Sequence, residues 1–242
     1  MNKLTNKVAI ITGGAKGQGA AEAELFIKAG AKVVITDVDK TEGMAVAGRL
    51  GPDCEFVQHD VTSETAWKQL AERTVDRHGH IDVLVNNAGT FHMLGLEETT
   101  LDTWNQLVAT NQTGVFLGMQ SIVPFMKRNG SGSIVNISSI AGLTSSRAHA
   151  YAATKWAVRG MSKSAAVELG PYGIRVNSVH PGYIETRMLD EFEFTRQELA
   201  DRVPLGRVGD VFDVARLVLF LASDDSSYCS GHEFTIDGAL RS

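Results

Sequence analysis

The stretch that decides the fold is Thr12-Gly13-Gly14-Ala15-Lys16-Gly17-Gln18-Gly19, which directly follows the apolar run Val8–Ile11. Glycines allow a tight turn and let the backbone approach a diphosphate without a Cβ clash. A helix that starts after such a loop presents free N–H groups to the anion. A strand, a glycine loop and a helix in this order predict a dinucleotide-binding unit. For the loop alone, glycines that merely form turns are the alternative interpretation.

The acid that follows the next apolar run predicts which dinucleotide binds. That run, Lys32–Thr36, leads into Asp37. An acid about 20 residues after the loop can accept hydrogen bonds from the adenosine ribose, and it repels a 2′-phosphate. Asp37 therefore predicts NAD, although the same carboxylate could also cap the next helix. Lys16 is the opposing signal, since a cation in the loop attracts a 2′-phosphate, but Asp37 would meet that phosphate at contact distance.

Apolar runs alternate with helical stretches along the whole chain. Most runs are continuous, which is typical of strands buried on both faces of a parallel sheet. The predicted strands are Val8–Ile11, Lys32–Thr36, Glu55–Val57, Ile81–Val85, Ser133–Ile137, Ile174–Val179 and Glu233–Ile236. The predicted helices are Ala20–Lys28, Lys40–Leu50, Glu64–Arg77, Asp102–Arg128, Tyr151–Leu169 and Asp210–Ala222. This order predicts a single-domain Rossmann-type α/β fold over 1–242, with a doubly wound parallel sheet of about seven strands and helices on both faces.

Composition excludes several classes of protein. The chain has 242 residues and a net charge of −5, and its basic residues are scattered, which argues against nucleic acid as a partner. No apolar run has the length of a membrane span. Cys54 and Cys229 form no disulfide framework, so a reducing cytoplasm is expected. The histidines, among them His92, His149 and His180, lack metal-ligand spacing, and no metal site is predicted.

One segment, Arg187–Gly209, has neither a strand nor a helix pattern. It carries two aromatic residues, Phe192 and Phe194, among charged residues. Long irregular segments inside compact domains are often functional, and this one follows the sixth strand. We expect a substrate lid at about 187–209.

In this order the motifs resemble the short-chain dehydrogenase/reductase family over essentially the whole chain, nearest its bacterial 3α(20β)-hydroxysteroid dehydrogenase and secondary alcohol dehydrogenase branch. The motifs are the Thr12–Gly19 loop, Asp60-Val61, Asn86-Asn87-Ala88-Gly89, Asn111, Ser138, Tyr151-x-x-x-Lys155, and Pro181-Gly182 followed by Thr186. Gln18 departs from the family pattern, which often has an aliphatic residue there.

The resemblance implies how a dinucleotide would be held. Asp60 and Val61 would meet the adenine, the Asn87–Gly89 turn would line the adenosine side, and Pro181-Gly182 with Thr186 would hold the nicotinamide. The full predicted cofactor set is Gly13, Lys16, Gly17, Gln18, Gly19, Asp37, Asp60, Val61, Asn87, Ala88, Gly89, Tyr151, Lys155, Pro181, Gly182, Ile184 and Thr186.

The catalytic group predicted from these residues is Tyr151, Lys155 and Ser138, with Asn111 in support. Tyr151 and Lys155 are four residues apart in a helical stretch and so share one face. The lysine ammonium, together with an oxidised nicotinamide, favours phenolate and prepares the tyrosine as acid and base. Ser138 is predicted as the donor to the substrate oxygen because it precedes the tyrosine by the spacing that the resemblance implies, and Ser139 is expected to be structural. The resemblance implies that Asn111 holds a water in a proton relay from Lys155.

These residues predict an NAD-dependent oxidoreductase that interconverts a secondary alcohol, such as a hydroxysteroid or another bulky hydrophobic alcohol, and its ketone. A 3-oxoacyl-thioester reductase is the first alternative, but it would prefer NADPH, against which Asp37 argues. A non-catalytic dinucleotide sensor is the second, and it should have lost Tyr151, Lys155 or Ser138. The resemblance also implies a homotetramer built on the helices Asp102–Arg128 and Tyr151–Leu169, which are apolar on more than one face.

Overall fold

A parallel β-sheet forms the centre of the computed structural model, which describes residues 2–241. Its strands are β1 (Val8–Thr12), β2 (Lys32–Asp37), β3 (Cys54–Gln58), β4 (Val83–Asn86), β5 (Gly132–Ile137), β6 (Ile174–Pro181) and β7 (Glu233–Ile236). They are arranged in the order β3-β2-β1-β4-β5-β6-β7, and each neighbouring pair is parallel. The chain therefore adds β2 and β3 on one side of β1, and β4 to β7 on the other side. In sheets of this kind, ligands bind at the carboxyl ends of the strands beside the point where the order switches, here between β1 and β4.

Helices cover both faces of the sheet. They are α1 (Gly17–Lys28), α2 (Lys40–Leu50), α3 (Glu64–His78), α4 (Leu101–Val108), α5 (Gly114–Asn129), α6 (His149–Leu169), α7 (Arg196–Asp201) and α8 (Val211–Ala222). Residues of α1, α2 and α8 form one buried apolar cluster with the sheet, and residues of α3, α5 and α6 form the other. The predicted single-domain Rossmann-type α/β fold is confirmed.

The two clusters explain why the strand runs are continuously apolar. In β1 every residue is buried. Ile10 packs into one cluster and Ile11 into the other, because successive side chains of a strand point to opposite faces. Both faces of β1 are thus buried, and a polar side chain on either face would lose its hydrogen bonds to water, which would destabilise the fold.

The long helix predicted over Asp102–Arg128 is interrupted. A π-helical turn, Ala109–Thr113, separates α4 from α5. The turn contains no glycine or proline that would mark a helix end, and so the sequence predicts a single helix. Single π turns inside helices often occur at functional sites, and this one contains Asn111.

The segment predicted as irregular, Arg187–Gly209, contains regular structure. A 3-10 turn spans Arg187–Glu191, and α7 follows it. α7 begins with a capping box in which Thr195 accepts a hydrogen bond from the Glu198 amide while the Glu198 side chain bonds back to Thr195. This box supplies partners for the free N–H groups of a helix too short to show a periodic pattern. Within residues 2–241, no helix combines the length and the apolar character that crossing a membrane requires.

Candidate active site

Two glycines of the loop between β1 and α1 pack so closely against the Asn87–Gly89 turn that no side chain would fit. Gly13 has a φ of 66°, and a Cβ there would lie 2.9 Å from the Ala88 Cα. A Cβ on Gly19 would lie 2.6 Å from the Asn87 Nδ2. The first turn of α1 contains no acidic residue, and no side chain caps its N-terminus. The helix end therefore keeps its N–H groups and partial positive charge for an anion.

Asp37 ends β2 beside this loop. Its Oδ2 accepts a hydrogen bond from the Ala15 amide at 3.3 Å, and its Oδ1 accepts one from the Asp39 amide at 3.1 Å. The carboxylate is thus held at the carboxyl edge of the sheet. Lys16, the opposing signal in the sequence, lies with its Nζ 3.9 Å from the Asp39 Oδ2, so part of its charge is balanced by a second acid.

A cleft of about 1380 Å³ runs along the carboxyl ends of the strands and contains nearly all of the predicted site residues. It is lined by every predicted cofactor residue except Gly19, and by Ser138 as well. Gly19 and Asn111 lie behind the lining: both are buried, and their contacts hold residues that do line it. The fold therefore brings together the residues predicted from spacing and resemblance. The sequence interpretation missed Tyr183, an aromatic residue of the cleft wall that belongs to no motif.

Tyr151 and Lys155 lie one turn apart on the buried face of α6. The Lys155 Nζ donates to the Ile137 carbonyl at 2.9 Å and lies 5.5 Å from the centre of the Tyr151 ring. Burial lowers the pKa of Lys155 to about 8, because the charged ammonium loses water. Burial also raises the pKa of Tyr151 to about 12, and a hydrogen bond with the Ser139 side chain acts against this rise.

The two adjacent serines make different contacts from those expected. The Ser138 hydroxyl is buried and donates to the backbone carbonyl of Lys155 at 2.9 Å. Ser139 is the serine whose side chain interacts with the Tyr151 phenol and lowers its pKa. Ser138, predicted to bind the substrate oxygen, thus uses its proton to tie β5 to α6. The contact with Tyr151 favours Ser139, which the sequence interpretation had left as structural.

Asn111 holds the chain segment that follows the Asn87–Gly89 turn. Its amide forms a matched pair of bonds with Thr90, donating to the Thr90 carbonyl and accepting from the Thr90 amide, each at 2.8 Å. The Asn87 side chain likewise donates to the Thr12 carbonyl at 2.9 Å, inside the glycine loop. Both asparagines therefore build the cleft wall with their side chains.

His180 connects Ser139 to strand β6. This buried residue of β6 has its Nδ1 3.0 Å from the Ser139 carbonyl and its Nε2 2.8 Å from the Ser178 Oγ. Burial lowers the pKa of His180, so the ring is neutral near pH 7. The neutral tautomer with a proton on Nδ1 satisfies both contacts, since it donates to the carbonyl and accepts from the Ser178 hydroxyl.

The residues present fit a dinucleotide. Gly13 and Gly19 allow the loop to pack on the Asn87–Gly89 turn, and the uncapped N-terminus of α1 lies at the cleft, where its free N–H groups can bind a diphosphate. The acid Asp37 ends β2, and the buried Lys155 bonds to the last residue of β5, which β1 and β4 separate from β2. Within residues 2–241 no cluster of acids, histidines and cysteines has the arrangement of a metal site.

Comparison with known proteins gives the family. The model of the family described as enoyl-(acyl carrier protein) reductase, a group of short-chain dehydrogenases, matches residues 13–240. A 3-alpha-(or 20-beta)-hydroxysteroid dehydrogenase of Mycobacterium tuberculosis is 45% identical, with 98% of this chain and 90% of the relative covered. A trans-4-hydroxycyclohexanecarboxylate dehydrogenase of Sinomonas cyclohexanicum is 42% identical, with coverage of 98% and 93%. An NADP-dependent (R)-specific alcohol dehydrogenase of Lentilactobacillus kefiri is also 42% identical, with coverage of 98% and 97%. The chain therefore belongs to the short-chain dehydrogenase/reductase family of oxidoreductases.

Proposed function

We propose that this protein is an NAD(H)-dependent oxidoreductase that interconverts a secondary alcohol and its ketone. The observation that carries the proposal is the buried Tyr151, which bonds to Ser139 and lies one helical turn from Lys155 in the cleft that Asp37 borders. Hydroxysteroids or other bulky hydrophobic alcohols are the substrates proposed first, because the relatives named above include a dehydrogenase of hydroxysteroids.

Tyr151 is the proposed acid and base. The bound nicotinamide supplies the hydride acceptor for alcohol oxidation and the donor for ketone reduction. The phenol oxygen takes the hydroxyl proton of the alcohol in oxidation and returns it to the ketone oxygen in reduction. A pKa of about 12 in the protein alone means that this proton is held tightly at pH 7 to 8. Positive charge beside the phenol is needed to lower its pKa toward the working range.

Lys155 is the residue of the chain placed to supply that charge. Its pKa of about 8 means that the ammonium is present at neutral pH and is partly lost above pH 8. The Nζ donates to the Ile137 carbonyl at the edge of the cleft, and its remaining hydrogens are free to bind the hydroxyls of a nicotinamide ribose. One side chain would therefore both grip the cofactor and stabilise phenolate.

Ser139 is the proposed donor to the substrate oxygen, in place of Ser138. A hydroxyl that reaches the Tyr151 phenol can reach an oxygen that binds the same phenol, whereas the Ser138 hydroxyl donates to a backbone carbonyl. Asn111 is proposed as a positioning residue, because its amide is committed to Thr90. The water relay predicted for Asn111 stays a prediction.

Asp37 supports the preference for NAD. The carboxylate is fixed by two backbone amides where the adenosine ribose would lie, and Asp39 offsets the nearby Lys16. The relative from Lentilactobacillus kefiri is NADP-dependent, so the preference is a property to be measured on this chain rather than a family trait.

The description of the matching family model favours a second candidate, reduction of an acyl-thioester substrate. An acidic carrier protein would need a basic surface around the cleft. The charged residues that line it are mixed, with the basic Lys16, Arg147, Lys155, Arg187 and Arg202 and the acidic Asp37, Asp60, Glu98, Glu185, Glu191 and Glu193. This surface supports a small-molecule substrate better. A non-catalytic sensor is disfavoured because the tyrosine, the lysine and both serines are present.

Assembly is also part of the proposal. Trp104, Phe116, Trp156 and Val167 on α4, α5 and α6 are exposed, with Val167 82% accessible, and large apolar side chains on neighbouring helices suit burial against another copy. They support the predicted homotetramer. The cytoplasmic location and the lid at 187–209 stay predictions.

A panel of secondary alcohols and ketones, assayed with NAD(H) and NADP(H) side by side, tests the function. We expect turnover with at least one bulky secondary alcohol and NAD⁺, and a kcat at least about 10²-fold lower in Tyr151→Phe. Turnover of a 3-oxoacyl thioester alone, with NADPH preferred, would favour the second candidate. A Tyr151→Phe protein with near wild-type turnover would refute the mechanism.

A further inference from the structure

Phe91 lies against the proposed catalytic tyrosine. Its ring centre is 4.8 Å from that of Tyr151, with the ring planes at 88°. A second phenylalanine, Phe192, stacks on Phe91 with centres 5.5 Å apart and planes only 10° from parallel. Tyr183 meets the edge of Phe192 at 5.5 Å. The four rings form a continuous aromatic wall, and a residue of the 187–209 segment covers one face of Phe91.

The ring that covers Phe91 lines the cleft and is partly open to solvent. Phe192 follows the 3-10 turn Arg187–Glu191, and its amide donates to the Leu189 carbonyl at 3.2 Å. Its side chain is partly exposed, and its neighbours Glu191 and Glu193 are exposed. An aromatic pair of this kind contributes roughly the free energy of a 2- to 10-fold change in an equilibrium constant. A ligand ring can therefore compete with Phe192 for the face of Phe91.

We propose that Phe91 is a ring-binding platform, that Phe192 occupies it when no substrate is bound, and that the substrate is a flat cyclic secondary alcohol whose ring replaces Phe192. The inference rests on the proposed function and names its substrate class. Because Phe91 contacts Tyr151 directly, a ring that lies on Phe91 brings an attached carbinol next to the phenol. Replacing one ring by another preserves the stacking, whereas an open chain loses it and must also give up rotational freedom.

Phe194 offers a matched control in the same segment. Its ring lies under the Arg202 guanidinium, 3.6 Å from the ring centre, and is 37% exposed. It has the same chemistry as Phe192 and is two residues away, but its aromatic face meets a cation instead of the platform. Substitutions at the two positions therefore separate the platform contact from a general effect of an apolar lid.

The first experiment compares 2-tetralol with 2-decanol, which have the same number of carbon atoms and differ in ring content. We expect wild-type protein with NAD⁺ to turn over the cyclic alcohol with the larger kcat/KM. Phe91→Leu should reduce the preference for the cyclic over the open-chain alcohol by about 2- to 10-fold, because the KM for the cyclic alcohol rises. Phe192→Leu should show a lower KM toward the cyclic alcohol, because the competing ring is lost. Phe194→Leu should leave the preference unchanged. An unchanged preference in Phe91→Leu, or a raised KM in Phe192→Leu, would overturn the proposal.

Binding without turnover keeps the platform and the proposed function separable. Calorimetry of 2-tetralone and 2-decanone with the protein–NAD⁺ complex should show tighter binding of the cyclic ketone in wild type and a smaller difference in Phe91→Leu. That result without turnover of any alcohol would support the platform and refute the proposed function. Turnover with equal affinity for the two ketones would support the function and overturn the platform. An unchanged NAD⁺ affinity of Phe91→Leu would show that the variant is folded.

Discussion

Replacing Glu22 by glutamine is expected to stabilise the protein by an amount that grows with pH. Glu22 lies in α1, fully buried next to Ala21 and Ala23, and neither of its carboxyl oxygens has a hydrogen-bond partner within residues 2–241. Burial without a partner raises its pKa from 4.5 to about 8, because the carboxylate loses water and gains nothing in return. At pH 7 the folded protein therefore holds Glu22 as the neutral acid.

The sign and size of the effect follow from the two pKa values. Below pH 4.5 the carboxyl is protonated in both the folded and the unfolded state, and its ionisation does not affect stability. Between pH 4.5 and about 8 only the unfolded chain releases the proton, so the free energy of unfolding falls with rising pH. The slope is about 1.4 kcal/mol per pH unit, and the loss levels off above pH 8 at about 5 kcal/mol. Glu22→Gln removes this loss while keeping the size of the side chain.

Urea unfolding followed by tryptophan fluorescence measures the prediction, at about pH 5, 6.5 and 8.5 and at one protein concentration, because assembly adds to apparent stability. The advantage of Glu22→Gln should be small at pH 5 and several kcal/mol at pH 8.5. Glu24→Gln is the control on the same helix. Hydrogen bonds from Lys28 and Arg49 lower the pKa of Glu24, so Glu24→Gln should not raise the free energy of unfolding at any pH. A difference between Glu22→Gln and wild type that is equal at pH 5 and 8.5 would show that Glu22 is not held neutral.

Four further predictions concern catalysis. Tyr151→Phe should lower kcat by at least about 10²-fold, the smaller loss expected for a general acid–base, with an unchanged NAD⁺ Kd by calorimetry. Ser139→Ala should lower kcat by about 10²- to 10³-fold. Ser138→Ala should chiefly lower Tm, because a buried hydrogen bond to α6 is lost. A larger loss of kcat in Ser138→Ala than in Ser139→Ala would favour Ser138 as the donor to the substrate oxygen. Asp37→Ala should narrow a preference for NAD over NADP of roughly tenfold or more in kcat/KM, and equal wild-type rates with both cofactors would contradict this. In alcohol oxidation kcat should rise with pH as Tyr151 ionises, and Lys155→Ala should move that rise to higher pH, which a pH–rate profile tests.

Elements with a strong local signal were predicted from the sequence, and elements held by distant contacts were not. Strands such as β1 are visible because both of their faces are buried, so an unbroken apolar run is required. The π turn at Ala109–Thr113 has no such signal. Asn111 within it bonds to Thr90, whose proximity depends on the completed fold. The short helix α7 did have a signal, the Thr195 and Glu198 capping box, which a search for periodicity alone overlooks.

The cofactor half of the site could be predicted because its chemistry is tied to backbone geometry. A glycine is required where a Cβ would meet the Ala88 Cα, and Asp37 must follow the strand next to the loop. The substrate half has no such requirement. Phe91 and Phe192 meet across a long stretch of sequence, and their local context does not predict that the two rings stack on each other.

The proposed choice of Ser139 over Ser138 depends on the direction in which each side chain leaves the end of β5, and residue spacing does not describe that direction. The Ser138 amide donates to the Val179 carbonyl at 2.8 Å, so the β5–β6 ladder continues one residue past β5, and Ser139 is also extended, with a φ of −167°. In an extended chain adjacent side chains point to opposite sides, so only one of the two hydroxyls can face the phenol. The Ser138 hydroxyl donates a hydrogen bond to the backbone carbonyl of Lys155 in α6. The Ser139 carbonyl instead contacts the His180 ring. The number of residues between a serine and Tyr151 does not reflect this alternation. The loop between Ser139 and Tyr151 can gain or lose a residue while the same serine still faces the cleft.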